Sequence, residues 1–150
     1  MQDQLLTAEQ FQQDQRFDYR FLRNKTELIT VVVPDTDAAT TTRYGVFFIA
    51  QAACVVEDVW EVHRALGTNG GAVTVDIEKL TSGQALDAGT TCLATALSLK
   101  TTIDVPQQGT LHATISRRQL ARGDRLALKD AGTLTSVAHV CVTVVVRLKI

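Results

Sequence analysis

The stretch SVAHVCVTVVVRL, Ser136 to Leu148, decides how the chain is read. Val140, Val142, Val144, Val146 and Leu148 fall on one face of an extended segment, while His139, Thr143 and Arg147 take the other. Successive strand side chains point to opposite sides, so this alternation predicts a long β-strand with one face in a core. Similar signals recur upstream. LITVVV (28–33) is β-branched and stops at Pro34, and YGVFFIA (44–50) follows it. CVVEDVWEVHRA (54–65) reads as a long strand, and AVTVDIEKL (72–80) places Val73, Val75 and Ile77 on one face. GTLHATIS (109–116) and RLALK (125–129) complete the set.

Turn signals separate these runs: GTNGG at 67–71, TSGQ at 81–84, DAG at 87–89 and again at 130–132, PQQG at 106–109, and ARGD at 121–124. About twenty threonines reinforce the β reading, because β-branched side chains pack well on a pleated surface. Only CLATALSLK (92–100) carries helical spacing, and it is short. Closely spaced strands without intervening helices predict an all-β chain: an antiparallel β-sandwich, jelly-roll-like.

Composition shifts near Leu28, which divides the chain into an N-terminal arm, 1–27, and a sandwich domain, 28–150. The arm is rich in Gln, Asp and Arg and carries Phe11, Phe17, Tyr19 and Phe21. A short helix from Ala8 to Gln15, capped by Thr7, is followed by RFDYRFLR (16–23), whose charged and apolar residues alternate as in extended chain. So many aromatics suit an arm that inserts them into something else better than an idle tail.

The bulk numbers narrow the function classes. One domain's worth of chain, 150 residues, carries 15 basic and 16 acidic side chains for a net charge of −1. A nucleic-acid binder normally has a clear basic excess, so no nucleic-acid partner is expected. Cys54, Cys92 and Cys141 are odd in number and far apart, and read as small buried hydrophobes in a reducing compartment. The start, MQDQLLTAEQFQQDQ, lacks the features of a signal peptide, and VCVTVVV is too short to span a bilayer, so the expectation is a soluble protein made in the cytoplasm with no membrane partner.

Candidate chemistry is sparse. GTNGGAV (67–73) lacks the Lys-Ser/Thr end of a phosphate loop and precedes a strand, so a glycine-rich hairpin turn is expected. Even spacing puts Glu57, Glu61 and His63 on one strand face, but a zinc site usually needs three or four ligands, and His112 and His139 lie far away in sequence. No serine elbow or local Cys-His signature appears, so no catalytic residue, metal or cofactor is expected. Arg117, Arg118, Arg122 and Arg125 form an arginine-rich stretch without interleaved aromatics and suit an acidic partner or solvent. Arg122-Gly123-Asp124 lies between strand-like RRQLA and RLALK; it reads as a hairpin turn with Gly123 at positive φ and Asp124 holding the turn, not as an adhesion ligand. Trp60 is expected to be largely buried, which would leave a glycan-binding surface without its aromatic platform.

Several blocks together carry a resemblance: AATTTRYGVFFIAQAACVVEDVWEVH (38–63), GGAVTVDIEKLTSGQALDAGTTCLA (70–94), SLKTTI (98–103), QQGTL (107–111) and LARGDRLALKDAGTLTSVAHVCVTVVV (120–146). Over roughly Val33 to Val146 the chain resembles small tailed-phage virion proteins of the head decoration, or cement, kind. His139 stands where that pattern has a small residue such as Gly, and Thr101 departs from a Leu-Lys-Gly-Thr pattern. The resemblance implies a non-enzymatic structural protein on the capsid surface of a virion, binding the major capsid protein as its partner and assembling as a homotrimer. The arm aromatics, with Arg117, Arg118, Arg122 and Arg125, are the expected partner-binding residues. Tail or fibre modules, and carbohydrate-binding modules that contact host glycan, are the alternatives.

Overall fold

The structure is a computed structural model that describes residues 26–33, 42–68, 70–86, 88–134 and 136–149. The arm up to residue 25, with its expected helix and Phe11, Phe17, Tyr19 and Phe21, lies outside the described residues.

Among the described residues ten strands form: β1 (Thr26–Val33), β2 (Thr42–Ile49), β3 (Cys54–Val62), β4 (Thr74–Leu80), β5 (Thr90–Thr91), β6 (Leu97–Ser98), β7 (Gln107–Gln108), β8 (Gln119–Leu120), β9 (Arg125–Ala131) and β10 (Val140–Leu148). The helical content among the described residues is a single 3₁₀ turn, Ile115–Arg117. One sheet, A, runs β1-β10-β3, with β7 and β8 both on the far edge of β3. The second, B, runs β2-β9-β4, with β5 and β6 both on the far edge of β4. Every pairing is antiparallel.

The pairings are nested. The first strand meets the last (β1 with β10) and the second meets the last but one (β2 with β9). The third meets β7 and β8, and the fourth meets β5 and β6. A long antiparallel ribbon rolled over itself gives this order, which is the jelly roll among β-sandwiches. Alternation does the rest. Val140, Val142, Val144 and Val146 of β10, with Cys54, Val56 and Val59 of β3 beside them, share one core with Val75 and Ile77 of β4 and Leu126 and Leu128 of β9. Leu148 closes it from the rim.

Several local expectations change. GTLHATIS makes no strand: Leu111 forms an isolated bridge to Leu93, and the His112 ring Nδ1 then accepts the Thr114 amide at 3.0 Å, which turns the chain into the 3₁₀ turn. CLATALSLK is not helical. Its amides serve the sheet instead, from Cys92 to the Ile77 carbonyl and from Leu99 to the Val73 carbonyl, so Leu93, Leu97 and Leu99 reach the core from extended chain. The glutamines of PQQG form β7 rather than a turn.

Neither glycine turn closes a hairpin. GTNGG joins β3 of sheet A to β4 of sheet B, and Arg122-Gly123-Asp124 joins β8 of sheet A to β9 of sheet B, so both are corners between layers. The local chemistry expected at the second corner does hold. Gly123 has φ +89, and the Asp124 side chain accepts the Ala121 amide at 2.9 Å. The corner is pinned to the end of β2, where Gly123 donates to the Ala50 carbonyl and Ala50 donates to that of Asp124, each at 2.8 Å. Asp124 is 7% exposed, which leaves it poorly placed for a receptor.

Backbone conformation ranks the sites by cost. Gly132 has φ +90, and a Cβ there would sit 2.0 Å from the Ala72 carbonyl oxygen; at Gly123 the nearest atom is 3.9 Å away. His139 holds φ +53, a left-handed position unusual for a residue other than glycine. Gly123→Ala is therefore expected to cost about 1–2 kcal/mol from conformation alone. Gly132→Ala adds overpacking of about 1–3 kcal/mol. His139→Gly relieves about 1 kcal/mol of left-handed strain and gives up the interaction that His139 makes. Urea unfolding of the three variants checks the order; equal stability of the two alanine variants would show that the Ala72 contact is misplaced.

Candidate interaction surface

The outer face of sheet A is shaped by an irregularity in β3. Val145 of β10 pairs with Asp58, but the next residue, Val146, pairs with Val56, so Glu57 is an extra residue in the strand. A β-bulge of this kind reverses which side later side chains take. Cys54 and Val56 point inward before it; Val59, Glu61 and His63 do so after it. Unbroken alternation from Val56 would instead have sent Trp60 into the core. Trp60 stands on the outer face and is 39% exposed, contrary to the expectation that it is buried.

Three rungs cross this face. Leu28 of β1 pairs with Val145 of β10, which pairs with Asp58 of β3. The next outward rung is Thr30, Thr143 and Trp60, and the third pairs Cys141 with Val62. From these rungs Leu28, Trp60, Val62, Cys141, Thr143 and Val145 line, with Glu61 and Pro106, an open depression of about 400 Å³. Its lining is mostly apolar, and Leu28 at its edge is 72% exposed. The polar atoms present are largely committed to one another. The Trp60 indole Nε1 donates to Asp58 Oδ2 at 2.7 Å, and Gln108 Nε2 donates to both Asp58 oxygens at 3.0 and 3.2 Å. The Val59 amide takes Oδ1 as well, at 2.9 Å. Asp58 thus fixes the plane of the indole and keeps little acceptor capacity for a ligand. The Thr30 and Thr143 hydroxyls bond each other at 3.3 Å.

The same bulge separates the three residues expected to share a face. Glu57 is exposed and accepts Arg147 Nε at 2.5 Å, while Glu61 and His63 are sealed inside. His63 Nδ1 lies 2.9 Å from Glu61 Oε1, and Gln107 Nε2 donates to Glu61 Oε2 at 2.8 Å. Burial raises the Glu61 carboxyl above its ordinary range, against the opposing pull of His63 and Gln107. His63 Nε2 is buried without a hydrogen-bond partner. Among the described residues no group of three or more His, Cys, Asp or Glu is placed to hold a metal.

The arginines do not act as one patch. Arg118 spends its guanidinium on the His112 and Val56 carbonyls, each at 3.2 Å, and Arg125 is bound to the carbonyls of Thr81 and Gln84. Arg117 is half-buried as the last residue of the 3₁₀ turn, and Arg122 is exposed at the corner. Cys92 lies in the core, where burial pushes its thiol up to about 12, so it is inert at neutral pH. No α-helix among the described residues is long and apolar enough to cross a membrane.

Sheet B carries a second polar cluster that sequence reasoning missed. Asp76 and Glu78 alternate with the core residues Val75 and Ile77 and so share the outer face. Glu78 pairs with Lys129 at 3.0 Å; Asp76 accepts the Thr91 hydroxyl at 2.8 Å and the Ile77 amide at 2.7 Å. Alternation could have found the shared face, but not the loop glycine, Gly89, that closes over Glu78. Compared with known proteins, the chain matches no protein-family model, no curated protein and no solved structure.

Burial holds the Asp76 carboxyl above its ordinary value of 3.8, with the Glu78 charge adding to the shift and Thr91, Ile77 and Lys129 opposing it. A carboxyl whose folded pKa is raised contributes stability below the unfolded pKa and loses it as pH rises through the folded one. Asp76→Asn keeps an acceptor for Thr91 and Ile77 but cannot ionise. The variant should melt above the wild type at neutral pH, and the gap should close as pH falls through the raised pKa. Melting curves across that range check it; a gap that is constant or widens on acidification would contradict the shift.

Proposed function

We propose that the chain is a structural, non-enzymatic protein of a tailed-phage virion, which decorates the capsid surface by binding the major capsid protein and works as a homotrimer. The observation that carries this reading is the apolar depression on the outer face of sheet A. Large apolar groups displayed together on a folded domain mark a surface meant to be covered. Here Leu28 projects beside an indole held rigid by Asp58, and an immobilised aromatic is a good anchor because little freedom is lost on contact. The sealed Glu61–His63 pair offers nothing to a substrate. A closed jelly roll with one adhesive face suits a building block.

Exposed Trp60 also favours a second reading, a module that stacks on host glycan. Sugar recognition needs free donors and acceptors around the ring, and Asp58, Gln108, Thr30 and Thr143 are largely spent on each other. The apolar lining favours a protein partner.

Co-sedimentation with purified shells that lack the protein tests the proposal. The double variant Leu28→Ser, Trp60→Ala touches no core residue and should keep its strand spectrum, yet lose about tenfold or more of its shell affinity. Wild-type protein that ignores shells but binds oligosaccharides would replace this reading with the glycan one. Sedimentation that shows a monomer both free and on shells would remove the trimer from it.

A further inference from the structure

Two long strands meet a neighbour on one side only among the described residues: β1 at the edge of sheet A and β2 at the edge of sheet B. We propose that copies of this chain join edge to edge, β1 of one pairing antiparallel with β2 of the next, until every such edge is covered. That copies associate belongs to the reading above; the contact is new, and it serves a closed ring of two copies as well as the proposed three.

The first argument is that β1 is unprotected. Natural edge strands are usually blunted by shortness, proline, lysine or a bulge. β1, TELITVVV, has none of these, and its eight residues hold one unbroken register against β10. β2 matches it in length. Exposed large hydrophobics stand on both, Leu28 on β1 and Val46 and Ile49 on β2.

Direction is the second. Ala50, just after β2, bonds Gly123 and Asp124 of the corner, and Leu120, just before that corner, pairs with Cys54 at the start of β3. β3 therefore leaves the end of the sandwich at which β2 arrives. β1 runs with β3, since both are antiparallel to β10. It follows that β1 and β2 run in opposite directions. Rotating a copy about an axis along the strands preserves those directions, so β1 meets the next copy's β2 in antiparallel fashion, as a ladder requires.

Register is the third. Leu28 points outward from sheet A, and Val46 points outward from sheet B, because its partner Ala127 alternates with the core residues Leu126 and Leu128. Setting Leu28 opposite Val46 of the next copy keeps outer face with outer face. The ends then match as well. In one direction the backbone of Thr30 falls opposite Tyr44 and that of Val32 opposite Thr42. In the other, Phe47 is passed over as it is against β9, and Thr26 falls opposite Ile49. All of β2 but Phe47 finds a backbone partner, and all of β1 but Val33. Such a ladder makes roughly seven hydrogen bonds, against about ten in a typical interface, and each copy takes part in two ladders.

The test uses the full-length chain with Cys141→Ser, which leaves the buried Cys54 and Cys92. Residues directly opposite on antiparallel strands lie within reach of a disulfide. Leu28→Cys/Val46→Cys is expected to oxidise to a covalent species of two or three chains, about tenfold faster than either single variant links, because the paired thiols face each other at an effective concentration of the order of mM. Thr30→Lys places a charge on the edge without touching the core and should weaken association about tenfold in sedimentation. Covalent dimers from Leu28→Cys alone, or from Val46→Cys alone, overturn the proposal, since like edges would then be meeting. Products that lengthen without limit overturn the closed ring. A double variant that stays one chain long, with wild-type protein monomeric at about 50 μM, overturns the pairing in favour of edges covered within the chain. Closed covalent rings from a protein that ignores shells uphold it, because the link is read without them.

Discussion

One extra residue in β3 organises the two ends of this molecule. Without the bulge at Glu57, β3 would keep Val56, Asp58, Trp60 and Val62 on its inner side and turn Glu61 and His63 to water. The core would then hold a carboxylate at Asp58, and the outer face of sheet A would be charged. With the bulge, Val59 completes the valine layer against β10, and Trp60 moves to the surface. Accommodating Glu61 and His63 inside is the accompanying cost, since buried polar groups must find partners. Glu61 finds them in His63 Nδ1 and in Gln107, whose strand β7 pairs alongside, whereas His63 Nε2 is left without one. The short β7 strand is thus as much a polar lid for this pair as an element of the sheet.

Much of this architecture was legible from alternation. Val140 through Val146, and Val73 through Ile77, sit where period two places them, and nesting follows once each long strand finds its antiparallel neighbour. Corners were harder. Gly123 and Asp124 announce a turn, but whether the flanking strands pair or part into two layers depends on contacts with Ala50, far away in the chain. Bulges were harder still. Nothing in EDVWEVH distinguishes a strand that alternates throughout from one that slips by a residue; the slip is fixed by the register with β10. That one uncertainty hid both the exposed Trp60 and the buried dyad, so the candidate surface was nearly illegible even though the fold was not. His139 is a further case, since its left-handed backbone position is one that composition alone would never have suggested.

Polar residues that looked like candidates for chemistry mostly turn out to be fasteners. Arg118 ties the loop before β8 to β3, Arg125 ties β9 to the turn after β4, and Lys79 reaches the Ser116 carbonyl at 2.7 Å across the end of the sandwich. These bonds satisfy carbonyls that the short strands leave unpaired, and irregular segments such as 81–89 and 109–118 are held by them rather than by a ladder. A jelly roll with several two-residue strands relies on such side chains, beside scattered backbone bonds, to hold its loops.

The distribution of those short strands governs how the molecule can stack. On one flank the edges of β3 and β4 are each interrupted, being covered in part by β7 and β8 or by β5 and β6. On the opposite flank β1 and β2 present eight residues each, paired on one side only among the described residues. A sandwich with two sticky flanks could add copies without end, as a fibre does. A sandwich with one cannot. A second copy that joined along β1 or β2 would turn its interrupted flank outward, and growth would stop there. Uneven strand length would therefore act as a chain terminator for edge-to-edge growth.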